Sequence, residues 1–396
     1  MRKRTQKSQC ALPLQMVGTR STASQTLPGR MGRGWNASLP NAIGWLLLIL
    51  AVTLLSGCGT YRRVSLSPAR ARQIETECVQ LHYRLTPQQE EKILALDPEH
   101  VTGTDVREVL ADAPAPRMVL IHGGLDSVIV RMVSFGDFLI GMGYPAQSIT
   151  NPGDGTYTFS CLESANMLAG ICAWYYEKEG LRPMLVGHSQ GGFQVVKILD
   201  CLAGERSKRV SVWSPLTWKS EQRTEFTDPL TGERRPVVGF RLPYGSGVGA
   251  GGFTRVLPNQ WDMMFGLRSI PDSVEEFTGF YNGPDWKGGD FWGYGPANHS
   301  HAIGAAKVRN VNLPSEYKHG EIPDTRHLLQ SEAMKSWINN YQPVDKAFDA
   351  PLLNVQFDGD SRHILWAADV WFSIKKHWVL ELQNLIRARR APQNGG

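Results

Sequence analysis

Apolar residues in this chain fall into short dense runs separated by segments of helical period. Met118-Val119-Leu120-Ile121 follows Arg117 without a polar break and ends in His122-Gly123-Gly124. A continuous run of that length, closed by glycine, predicts a strand buried on both faces that feeds a loop. A helix is predicted near residues 128–142. A further strand is predicted at Gln147-Ser148-Ile149-Thr150, closed by the turn-forming Asn151-Pro152-Gly153-Asp154-Gly155. Across 159–179 the spacing of Leu162, Ala165, Leu168, Ala169 and Cys172 is helical. Pro183-Met184-Leu185-Val186 predicts the next strand, 193–202 the next helix, and Val210-Ser211-Val212-Trp213 one more strand. Strands alternating with helices imply an α/β architecture, a mostly parallel central sheet with helices on both faces.

From 214 to 273 the pattern is lost, and glycine, proline and aromatic residues dominate, as in Tyr244-Gly245-Ser246-Gly247 and Gly249-Ala250-Gly251-Gly252-Phe253. A stretch of that length inside a compact domain is usually functional. Order returns at Glu276-Phe277-Thr278-Gly279-Phe280 and at 307–313, both read as strands. Asp324 is placed to cap a helix running through Leu328, Leu329, Ala333, Trp337 and Ile338. An apolar run at 352–357 precedes a long helix at about 363–389, which carries Trp366, Trp371, Phe372 and Trp378. Its basic end beside so much tryptophan is compatible with a membrane surface; packing on the domain is the favoured expectation. The expected organisation is 1–57, an export segment; 58–115, an N-terminal arm; 116–342, the α/β domain with an insertion at about 214–273; and 343–396, a C-terminal extension.

Charge changes the picture at the N-terminus. Residues 1–57 hold seven of the 42 basic residues and none of the 37 acidic ones, which leaves 35 basic against 37 acidic for the remainder. The folded part lacks the basic footprint of a nucleic-acid binder, so no nucleic-acid partner is expected. The apolar run at 43–55 has thirteen residues and rises only about 20 Å as a helix, short of the ~30 Å hydrocarbon core. Basic, apolar and small residues in that order describe a secretory signal, and Met31 is an alternative start. Leu55-Ser56-Gly57-Cys58 resembles the bacterial lipobox, which implies lipidation of Cys58 after cleavage and a membrane partner through the N-terminal lipid. Gly59 rather than Asp after that cysteine favours the outer over the inner membrane, by the same resemblance. Cys78, Cys161, Cys172 and Cys201 could pair in an oxidising compartment in several ways. Cys161 and Cys172, read on one helix about 16 Å apart, could not pair with each other. No spacing matches a zinc site.

The candidate chemistry lies at Gly187-His188-Ser189-Gln190-Gly191-Gly192, between a predicted strand and a predicted helix. A sharp turn there lifts the Ser189 hydroxyl above the sheet edge and leaves the Gln190 amide at a helix N-terminus, where it can face an anion. At this point 117–341 resembles the α/β-hydrolase family, in particular its lipases and esterases. The resemblance implies Ser189 as nucleophile and the amides of Gly124 and Gln190 as oxyanion donors. It also implies the chain order nucleophile, acid, base, with the 214–273 insertion as a cap. Asp285 is the favoured acid, with Asp290 as a rival and Asp358 or Asp360 as a competing site. His319 is the favoured base and His327 its rival. The activity implied is cleavage of a carboxylic ester through an acyl-enzyme, without metal or cofactor, on a substrate with an apolar acyl group. An acyltransferase with the same chemistry and a non-catalytic envelope scaffold are the other readings.

Overall fold

In a computed structural model of the chain, the described residues are 66–78, 84–124, 126–252, 255, 258–283, 285–289, 299–343 and 357–391. Cys58 with the rest of the export segment, Asp290, and the apolar run at 352–357 apart from Phe357 lie outside them. Six strands form the main sheet: β1 (Met118–His122), β2 (Thr158–Ser160), β3 (Met184–His188), β4 (Leu242–Val248), β5 (Val274–Tyr281) and β6 (Lys307–Asn312). Their spatial order is β2-β1-β3-β4-β5-β6, and every neighbouring pair is parallel. The unbroken apolar run of β1 is explained by its surroundings. Met118 and Leu120 enter one core and Val119 and Ile121 the other, so no position along the strand is left for a polar side chain.

The longer helices among the described residues are α1 (Pro68–Cys78), α2 (Pro87–Leu94), α3 (Asp126–Gly141), α4 (Ala165–Glu179), α5 (Gln190–Ala203), α6 (Glu332–Asn340) and α7 (Ile364–Arg390). On one face α3, α7 and the arm from Leu85 to Ala115 pack together; α4 and α5 cover the other. Trp366, Trp371 and Trp378 of α7 are all fully buried, and the Trp378 ring meets Tyr144 at 4.9 Å between centroids. The tail helix is therefore a core helix, and its tryptophans do not face a membrane.

Five expectations are corrected. The edge strand is Thr158–Ser160, while 147–150 falls in a short helix, Ala146–Ile149, and a turn. Helix α4 accordingly starts at Ala165, where the Ser164 side chain accepts from the Met167 amide, and Cys161 sits in the preceding turn rather than on that helix. The predicted strand at 210–213 contributes only Trp213–Ser214 to a small antiparallel pair with Lys219–Ser220, outside the main sheet. Ser331, not Asp324, caps α6; Asp324 accepts instead from Ser134 Oγ of α3 at 2.7 Å. Most consequential is β4, a fully buried central strand in the middle of the supposed insertion. The segment 214–273 is thus two stretches: short hairpins before β4, including Glu225–Thr227 with Arg234–Pro236, and an irregular excursion after it.

Candidate active site

The chain leaves β1 toward α3 on one face and leaves β3 toward α5 on the other. Between two such strands the connecting loops part, and the sheet's C-terminal edge opens into a crevice suited to a ligand. His122-Gly123-Gly124 and Ser189 meet there.

Ser189 has φ 55° and ψ −123°, a conformation that strains any side chain other than glycine's. Its amide donates to Val248 O at 2.8 Å and its carbonyl accepts from the Gly192 amide at 2.9 Å, so both sides of the turn are tied down. Glycine at 187 and 191 is required by close approach: a Cβ at 187 would enter the Gly191 backbone, and one at 191 would enter Ile121 O of β1. The strand and helix can pack this closely only with bare backbone at both positions.

Three side chains from three separate loops converge. His319 Nδ1 lies 2.6 Å from Asp285 Oδ2, and His319 Nε2 lies 2.9 Å from Ser189 Oγ. The Asp285 carboxylate can only accept, so Nδ1 carries the imidazole proton and Nε2 is left to accept from the serine hydroxyl. Asp285 Oδ1 also accepts from the Lys287 amide at 3.0 Å. Burial alone would raise the Asp285 pKa. The hydrogen bond and charge of His319 and the amides of Gly288 and Lys287 outweigh it and hold the carboxyl below its usual range.

The rival residues are elsewhere. His327 Nε2 donates to Arg362 O at 3.2 Å, Asp358 Oδ1 accepts from Ser331 Oγ at 2.9 Å, and Asp360 pairs with Arg362. Asp290 lies outside the described residues. At the Gly-Gly turn, a Cβ on Gly123 would sit 3.0 Å from Ser189 Cβ, and one on Gly124 3.2 Å from Gln190 Nε2. Both glycines therefore border the Ser189 turn. Three residues in contact with the loop carrying His319 escaped the sequence reading: His188, Asn282 and Arg131. Their positions beside Ser189, at the end of β5 and on the helix after His122-Gly123-Gly124 were the available signals.

A cavity of about 350 Å³ runs beside α5, with Gln194, Lys197 and Cys201 on its wall. It reaches Cys161, whose Sγ is 3.6 Å from Gln190 Oε1. Among the described residues of the 214–273 segment, Gln260 alone lines this cavity, whose wall is about evenly polar and apolar. Cys161, Cys172 and Cys201 are free thiols. Among the described residues, no group of three or more His, Cys, Asp or Glu side chains is placed to hold a metal ion. Comparison of the chain with protein-family models, with curated proteins and with solved structures yields no match.

Proposed function

We propose that the chain is a serine hydrolase of the α/β-hydrolase type that cleaves carboxylic esters through an acyl-enzyme intermediate. The observation that carries this reading is the Ser189–His319–Asp285 relay, with 2.9 Å and 2.6 Å between its partners. The sheet order and the strained turn at Ser189 support it independently, since that turn points the hydroxyl out of the sheet edge. Ser189 Oγ attacks the acyl carbon while His319 Nε2 takes the hydroxyl proton. Asp285, held ionised, stabilises the imidazolium and keeps the ring in the tautomer with its proton on Nδ1. The amides of Gly124 and Gln190 receive the oxyanion. Collapse of the tetrahedral intermediate expels the alcohol, which takes the proton from His319, and water then repeats the sequence to release the acid. Each oxyanion donor is worth about 10²–10³ in rate. In this reading the excursion after β4 caps the site, and Cys58 bears the lipid that holds the enzyme at the bacterial envelope, at the outer membrane.

A fluorophosphonate probe should label the wild-type protein and not Ser189→Ala, and turnover of p-nitrophenyl esters should fall in that variant to below about a thousandth. Equal labelling of both proteins would remove Ser189 as the nucleophile, and a wild type that takes no label would favour the scaffold. A clickable palmitate analogue should enter wild-type cells' protein and be absent from Cys58→Ala; persistence of the label would place the anchor elsewhere.

A further inference from the structure

We propose that His188, Asn282 and Arg131 form a three-point clamp on the loop carrying His319, each donating to backbone carbonyls of that loop, and so act as positioning residues for the general base. The inference rests on the hydrolase reading for what the clamp achieves, and on geometry for the clamp itself. His319 opens a single 3₁₀ turn, His319–Glu321, in the segment after β6, and belongs to no strand or long helix. A base that must stay within hydrogen-bond reach of a serine needs its backbone held to a fraction of an ångström.

The structure supplies those restraints from the side. His188 Nε2 donates to His319 O at 2.7 Å, and Arg131 Nη1 donates to Gly320 O at 2.6 Å. Asn282 Nδ2 lies 3.1 Å from Pro314 O and 2.8 Å from Tyr317 O. The origin of the donors matters as much as the distances. His188 directly precedes the nucleophile, Asn282 lies three residues before Asp285, and Arg131 is on α3, the helix that follows His122-Gly123-Gly124. The strand that leads into Ser189, the end of β5 ahead of Asp285 and the helix that follows His122-Gly123-Gly124 thus each send a donor to the base loop, which registers that loop to the elements flanking the other site residues.

His188 is completely buried and Asn282 nearly so, so water does not compete for either donor. Burial, together with the nearby His319, also drives the His188 pKa down to about 3, so the ring is neutral and its one proton stays on Nε2.

Four variants test the clamp. Gln at 188 can present its amide near the place of Nε2, whereas Asn is too short; Asn282→Leu removes the donor at similar volume; Arg131→Met removes the third donor from a partly exposed helix position that should tolerate it. For p-nitrophenyl acetate, kcat should fall roughly 10- to 100-fold in His188→Asn and Asn282→Leu with KM little changed, since a shift of the base by about 1 Å costs that much. Arg131→Met should follow in the same direction by a smaller factor, and His188→Gln should recover most of the loss. A second readout needs no turnover: the low-field proton NMR signal of His319 Nδ1–H bonded to Asp285, assigned by its absence from His319→Gln. It should broaden or vanish in His188→Asn, Asn282→Leu and Arg131→Met and survive in His188→Gln. Wild-type kcat and an unchanged signal in those three variants overturn the clamp while leaving the hydrolase reading intact. A wild type that hydrolyses no ester, with a signal that still depends on the three donors, overturns the hydrolase reading and leaves the clamp standing.

Discussion

At the scale of single residues, the contest between two histidines turns on what each ring nitrogen meets. His319 has a carboxylate on one side and a serine hydroxyl on the other, whereas His327 ends on the Arg362 carbonyl with Asp360 4.0 Å away. His319→Ala should therefore abolish ester turnover, and His327→Ala should leave kcat within about twofold of wild type, because nothing that reaches Ser189 is lost. The carboxylates separate in the same way. Asp285→Asn replaces an acceptor that fixes the His319 tautomer and should cost about 10⁴ in kcat. Asp358→Asn alters only a contact to the α6 cap at Ser331 and should act on stability alone. Stopped assays of the four purified variants decide both assignments; loss of turnover in His327→Ala or Asp358→Asn would require a different relay.

At the scale of elements, the legible parts of the sequence were those in which one physical demand dominated. Strands β1 and β3 were marked by continuous apolar runs, β5 and β6 by short segments in which apolar residues are interspersed with polar ones, and helices α3, α5 and α7 by a helical stripe; all lie within a few residues of their expected places. Strand β4 was hidden because it serves two demands at once. It is as buried as β1 and lies in the centre of the sheet, so its periodicity should have been apolar throughout. Yet a Cβ on Gly245 would press within 3.3 Å of the Phe277 ring, while at Gly247 one would only reach ordinary contact with Gly192 Cα at 3.5 Å. Space given to a neighbouring ring appears in the sequence as glycine, which reads as loop. The edge strand β2 was obscured for the opposite reason. Only three residues long, it flows into the turn that starts α4, and Phe159 and Leu162 lent their spacing to the helix that follows. The candidate site was more legible than the sheet around it, because a nucleophile turn needs glycines at fixed offsets from one serine. The clamp residues were not, since donors to backbone carbonyls are defined by where a loop returns in space and not by any neighbour in the chain.

At the scale of the whole molecule, α7 links the arm to the sheet through side chains that reach into the interior. Trp378 Nε1 donates to Pro114 O at 2.8 Å, and Gln383 Nε2 donates to Leu96 O at 2.9 Å and Ile93 O at 3.1 Å. Between them Lys375, 1% exposed, extends its ammonium to the carbonyls of Val101 and Asn339, the latter at 2.7 Å. Burial lowers its pKa from the ordinary lysine range to about 8, with Asp105 opposing the shift only in part. The sign of the linkage follows. Below about pH 8 both folded and unfolded chains hold the proton, and the folded state bears the full cost of a buried charge. Between pH 8 and the unfolded value near 10.4 the unfolded chain still binds a proton that the folded chain has released, so stability contributed by this position rises with pH, by about 1.4 kcal/mol for each pH unit crossed. Buried tyrosines such as Tyr144 and Tyr317 titrate in the opposite sense at higher pH, but they do so equally in a variant that keeps them. Lys375→Met retains the length of the side chain and removes the titration. Urea unfolding of both proteins at pH 7.0, 8.5 and 9.5 should show wild type gaining on the variant as the pH rises. A difference that stays constant across those three values would mean that the Lys375 ammonium is as well solvated in the fold, by its two carbonyls, as it is in water.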